Sequence, residues 1–116
     1  MKVLIILNDA PYGSERSYNG LRLAKSLIKN ESDVELTVFL MADAVNCAKA
    51  GQNPPSGYYN IELMLKTVIR NSNVLLCGTC LDARGLKENE LIEDAQRSDM
   101  ATLSNETCHA DKVLVF

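Results

Sequence analysis

Four short stretches of this chain are apolar almost without interruption: Lys2–Leu7 (KVLIIL), Val34–Met41 (VELTVFLM), Val74–Cys77 (VLLC) and Lys112–Phe116 (KVLVF). A strand with one wet face alternates apolar and polar residues. A strand covered on both faces does not, and parallel sheets in α/β folds are built from such strands. Helical patterns lie between them. Leu21, Ala24, Leu27 and Ile28 recur at helical spacing between Glu15 and Lys29, with Ser14 or Ser17 as the N-cap. Ile61, Met64, Leu65 and Val68 do the same from Asn60 to Arg70, where Asn60 suits the cap. A third helix is expected over Asp99–Ala110 on a sparser stripe (Met100, Leu103, Cys108), and a further short one over 86–97. The order of elements predicts an α/β fold: a three-layer α/β/α sandwich with a mainly parallel sheet of four to five strands and right-handed crossovers.

With 116 residues the chain is expected to form one domain, 1–116, large enough to bury a core without staples. The stretch AGQNPPSGYY (Ala50–Tyr59) reads as a surface loop between the second strand and second helix, not as a linker. A content of 47% hydrophobic and 23% charged residues is that of a globular domain. The net charge is −3 and no run of Lys or Arg occurs, which argues against a nucleic-acid surface and against a polybasic membrane face. Six aromatic residues and no Trp leave little for a base-stacking platform.

The apolar stretch Val3–Leu7 is shorter than the roughly 7–15 residues of a signal-peptide core, and Asn8 and Asp9 break it. No segment approaches the ~20 apolar residues of a membrane span. The four cysteines sit in a chain whose periodic elements supply a core, so they do not read as a disulfide framework. The expectation is a cytoplasmic protein with reduced thiols.

In open parallel sheets ligands bind beyond the carboxyl ends of the strands. Three loops leave such ends: NDAPYGSE, ADAVNCAKAG and GTCLDARG. They bring Asn8, Tyr12, Ser14 and Asp43 there as candidate crevice or small-anion residues, and Cys77, Cys80 and Arg84 as candidates for chemistry. The first loop leads into a helix, whose N-terminus favours anions. It contains neither GxGxxG nor GxxxxGK[ST], so it is either a plain strand-to-helix turn with a Ser cap or a small-anion pocket, and not a nucleotide site.

The pair Cys77-x-x-Cys80 can be read in four ways. It is half a zinc knuckle, but Cys47, Cys108 and His109 are the only soft ligands left. Cys108 and His109 are adjacent, and helical neighbours point about 100° apart. Neither a metal nor another cofactor is therefore expected. A thioredoxin-like dithiol wants its first Cys at the start of a long helix, and Gly85 leaves at most one turn. The spacing still permits a disulfide. Buried structural cysteines are the plain alternative. This suits Cys47 and Cys108 better than Cys77, which ends a strand where polar residues follow. Asp43, Asp82 and Glu15 read equally well as solvated loop charges, and His109 as a helix-end residue. The fourth reading is a nucleophilic thiolate, with Arg84 and free backbone N–H groups stabilising the anion.

The stretches APYGSE (Ala10–Glu15), FLMADAV (Phe39–Val45), GYYNIELML (Gly57–Leu65), CGTCLDARG (Cys77–Gly85) and ADKVLVF (Ala110–Phe116) carry a resemblance that spans essentially the whole chain. The chain resembles the DsrE/DsrF-like family, most closely its YchN-like branch. The resemblance implies a small α/β fold in ring-like homo-oligomers such as hexamers. It implies, as in the sulfur-relay members, a cysteine that accepts a persulfide from a donor protein and passes it to an acceptor. Matching on Arg84-Gly85 puts that cysteine at Cys77, while Cys80 belongs to the YchN-like variant of the motif. On this reading Cys80 resolves or protects the persulfide and Arg84 steadies its charge. The alternatives are a thiol–disulfide redox or sensor protein using Cys77 and Cys80, and a non-catalytic oligomeric module that binds a small anion near Ser14.

Overall fold

The computed structural model describes residues 1–116. Five strands form one sheet in the order β4-β3-β2-β1-β5: β1 (Lys2–Leu7), β2 (Glu35–Leu40), β3 (Asn73–Cys77), β4 (Gln96–Ser98) and β5 (Lys112–Val115). Every pairing is parallel. The helices are α1 (Arg16–Asn30), α2 (Ile61–Ile69), α3 (Gly78–Ala83) and α4 (Met100–His109).

The three-layer arrangement follows from the strand order. From β1 to β4 each crossover steps the same way, so right-handed connections put their helices on one face. The last crossover returns to the far edge, which sends α4 to the opposite face. Register agrees. Val3, Ile5 and Leu7 stand beside Leu36, Val38 and Leu40 on the face where α1 and α2 pack together. Leu4 and Ile6 stand beside Thr37 and Phe39 on the other, where Thr37 donates a hydrogen bond to Glu106 of α4 at 3.4 Å. Both inner faces are apolar, which explains why the strands read as continuous runs.

Local chemistry ends the helices as anticipated in one case and not in another. Asn60 caps α2 by accepting from the Leu63 N–H at 3.1 Å. Neither Ser14 nor Ser17 occupies the N-cap position of α1, which is Glu15 and makes no side-chain bond, although the Ser14 hydroxyl accepts from the Arg16 N–H at 3.4 Å. Both serines instead hold Asp9 at the end of β1. Ser14 donates to its carboxylate and Ser17 to its carbonyl, each at 2.7 Å.

Two elements differ from the sequence reading. The short helix expected over 86–97 is a single 3-10 turn at Glu88–Glu90 followed by strand β4. The triplet QRS has no apolar signature because it is an edge strand, held by its backbone pairing to Leu75, Leu76 and Cys77. The loop after β2 is a 3-10 helix, Ala42–Ala48, whose Ala44, Val45, Cys47 and Ala48 are fully buried. No helix is long and apolar enough to cross a membrane.

Candidate functional site: a thiol pair where β3 becomes α3

Strand β3 ends at Cys77, and the chain turns into α3 at the next residue. Cys77 is the N-cap of this six-residue helix and Cys80 is its third helical position. The helix is thus slightly longer than the single turn anticipated, and both thiols belong to its opening. Cys77 forms no capping bond of ordinary geometry, but its sulfur lies 3.3 Å from the Thr79 hydroxyl. Burial pushes this thiol up. The Cys80 thiol, the Thr79 hydroxyl and the backbone N–H groups of Cys80 and Thr79 outweigh that and bring it below an ordinary thiol. Cys80 moves the other way, raised by burial and by its contact with Cys77. The two thiols are therefore unequal, with Cys77 the one that ionises more readily.

Access is narrower than a strand-end position implies. Cys77 retains only 7% of its exposure, while Cys80 is half-buried. Its surroundings are nevertheless polar on the α3 side. The Ala42 N–H points at the Cys80 sulfur at 3.2 Å. Ala42 does this from a left-handed backbone conformation, φ 49°, that non-glycine residues rarely adopt.

Arg84 and Asp43 do come together, but with each other. Asp43 Oδ1 accepts from Arg84 Nε at 3.0 Å and from Nη2 at 2.7 Å. The remaining Arg84 nitrogen donates to the Cys80 carbonyl at 3.2 Å. Arg84 therefore clamps α3 to the 3-10 helix after β2, and its charge acts on Cys80. The guanidinium that lies along the Cys77–Gly78 turn is Arg97 of β4. An added Cβ on Gly78 would stand 2.8 Å from Arg97 Nε and 2.9 Å from its Cζ. Arg97 is fixed by Asp82 of α3, whose two oxygens accept at 2.9 and 2.7 Å. Sequence reasoning missed Arg97, Thr79 and Ala42. A glycine directly after the strand-end cysteine was the one visible sign that something must pass close by.

The other candidates are engaged elsewhere. The Asn8 amide donates to the Phe116 carbonyl at 3.2 Å, and the Tyr12 hydroxyl donates to Gln52 at 2.7 Å and accepts from the Ile61 N–H at 3.2 Å. With Ser14 on Asp9, these three groups do not converge on a common anion position. Tyr12 instead joins Tyr58, Tyr59 and Pro54 around an open hollow of about 500 Å³ that includes none of the residues around Cys77. Cys47 is fully buried and its thiol is pushed up to about 12 by burial, so it is a core residue. Cys108, read from sequence as buried, is exposed on α4. His109 closes α4 with its Nδ1 2.8 Å from the Asn105 carbonyl. No three His, Cys, Asp or Glu side chains are placed to hold a metal ion together.

A parallel α/β sheet with a pair of free cysteines at its carboxyl edge defines the class: a small α/β protein that carries two thiols on one strand-to-helix junction. The chain belongs to the DsrE/DsrF-like family, which it matches over residues 1–116. It is 45% identical to protein YchN of Escherichia coli strain K12 over 99% of this chain and 98% of that one. It is 37% identical to protein MJ0989 of Methanocaldococcus jannaschii over the full length of both. The crystal structure of the E. coli ychN protein superposes with a TM-score of 0.93 at 45% identity, covering 99% of this chain and 98% of that one. Protein MTH1491 of Methanobacterium thermoautotrophicum shares the fold, with a TM-score of 0.78 at 14% identity over 99% of this chain and 97% of that one.

Proposed function

We propose that this protein relays sulfur, with Cys77 accepting a sulfane sulfur as a persulfide and passing it on. The observation that carries the reading is the junction itself: a strand-end sulfur ringed by a hydroxyl, a second thiol and helix-start N–H groups. These favour an anion on sulfur. The Cys77 thiolate attacks the outer sulfur of a donor persulfide or polysulfide. A new S–S bond forms, the donor's S–S bond breaks, and the donor thiolate departs with the electron pair. No net oxidation occurs. Cys80, held as a thiol, supplies a proton to the departing sulfur. Membership of the DsrE/DsrF-like family supports the reading. Intact-mass measurement after exposure to polysulfide should show one added sulfur in the native protein and in Cys80→Ser, and none in Cys77→Ser. Equal loading of Cys77→Ser would overturn it.

A second reading is favoured by one observation: Cys77 and Cys80 occupy the N-cap and third positions of one helix. A mild oxidant such as diamide would then take two electrons and two protons and leave an intramolecular disulfide. Differential alkylation that finds both thiols free after oxidation would remove it.

The protein is also proposed to act as a closed homo-oligomer in the cytoplasm, where thiols stay reduced. On the face carrying α4, Val113 and Val115 of β5 remain 38% and 63% exposed beside Leu4 and Ile6. A monomer in light scattering at micromolar concentration would contradict the assembly.

A further inference from the structure

Two arginines flank α3, and each is already bound to a carboxylate. They differ in what remains of them. Arg84 is held through all three of its nitrogens: two on Asp43 and one on the Cys80 carbonyl. Arg97 reaches Asp82 with its two terminal nitrogens and leaves its Nε–H without a partner in the chain. That nitrogen lies over Gly78, on the peptide that joins Cys77 to α3. β4 places it there by register, because Leu76 pairs with Arg97 and Cys77 with Ser98. A residue other than glycine at position 78 would push the guanidinium away.

We propose that Arg97, held by Asp82, is the positioning cation of the Cys77 sulfur, and that Arg84 has the separate task of fastening α3 to the 3-10 helix. This deepens the sulfur-relay reading and rests on it for the persulfide step. When Cys77 takes up a sulfur, the negative charge moves outward by one S–S bond, about 2 Å. Arg97 is the cation beside that turn, and its unused N–H is the donor left to meet the charge. The titratable and charged groups around Cys77 are Cys80 and Asp82 of α3, Arg97 of β4, and the Asp43–Arg84 pair beyond Cys80. No hydrogen bond links Cys77 to α4. The geometry divides the same way, since the Arg97 guanidinium lies against Gly78 next to Cys77, whereas Arg84 is bonded to the Cys80 carbonyl.

The test is the pH profile of Cys77 alkylation by iodoacetamide, followed on the Cys77 peptide by mass spectrometry in the full-length protein. Arg97→Gln should slow labelling at neutral pH about three- to tenfold and move the profile to higher pH, as loss of a neighbouring cation does. Arg97→Lys should restore part of the rate, and Arg84→Gln should shift the profile by less than half as much. A profile in Arg97→Gln that overlays the native one, or an equal shift in Arg84→Gln, overturns the proposal. Sulfur loading by polysulfide is measured in parallel. Loading of the native protein with no Arg97 effect on the profile sinks the arginine assignment alone. A shifted profile without loading sinks the relay reading and leaves the arginine assignment standing.

Discussion

Helices α1 and α3 each approach a neighbour through a glycine, and the two approaches have opposite consequences. At Gly20 an added methyl group would run into the side chain of Leu7, which is fully buried in the close-packed core, and would press on the half-buried Phe116 ring. At Gly78 it would meet only the far end of an arginine that can swing into solvent. The first glycine sets how tightly a helix lies on the sheet. The second sets where a charge sits. Close approach is therefore a packing device in one region and an electrostatic one in the other.

The largest effect should come from breaking the packing side of this contrast. Gly20→Ala is expected to cost about 2–3 kcal/mol in denaturant unfolding, as overfilling a close-packed core does. A loss below about 0.5 kcal/mol would show that α1 shifts freely on the sheet. Gly78→Ala should do the reverse. Its stability should stay within about 1 kcal/mol of native, because the obstructing group is flexible and Ala suits a helix start better than Gly. Its Cys77 alkylation should slow as in Arg97→Gln, although no charge has been removed. If instead stability falls and alkylation holds, the two glycines belong to one category and the contrast is gone.

Acid sharpens the electrostatic side further. Arg97 donates to the Asp82 carboxylate and holds it below its usual value of 3.8. A carboxylate with a depressed folded value keeps its ion pair above the unfolded value and loses it as pH falls through the folded one. On the acid side of neutrality the Arg97 Nε–H resonance should therefore stay constant down to about pH 4 and move only below it. A midpoint above that value would mean the pair is not formed in solution. The smallest expected effect is at Ala42, where the left-handed conformation costs about 1–2 kcal/mol and glycine carries an entropic cost of about 0.5–1 kcal/mol. Ala42→Gly should gain a few tenths of a kcal/mol in thermal unfolding. A clear loss would argue that the alanine methyl is packed and not merely tolerated.

The fold was legible wherever burial leaves a compositional mark. Val3–Leu7, Leu36–Leu40 and Val74–Leu76 announce themselves because both faces of the sheet are covered. β4 does not, because an edge strand made of Gln96, Arg97 and Ser98 is held by backbone bonds that any sequence can make. The 3-10 helix after β2 was hidden for another reason: Ala44, Val45, Cys47 and Ala48 fall in one stretch of seven residues, too short to show a repeating helical stripe. Within the candidate site, the thiols were visible as a local motif and the arginine was not. Cys77 and Gly78 are neighbours in sequence, but Arg97 joins them only through strand pairing. Arg84 was the nearer cation along the chain, and nothing in its spacing reveals that Asp43 holds it.

One feature of the sheet governs how the molecule can be assembled. β5 lies against β1, and the Lys2 N–H reaches the Asp111 carboxylate across 109 positions. The flank of β1 that β5 covers therefore stays bare until a segment more than a hundred positions away has folded back. That unfilled slot offers a sister molecule's closing strand the same backbone bonds as its own. Crowded, slow refolding should consequently yield strand-exchanged dimers, in which each copy finishes the other.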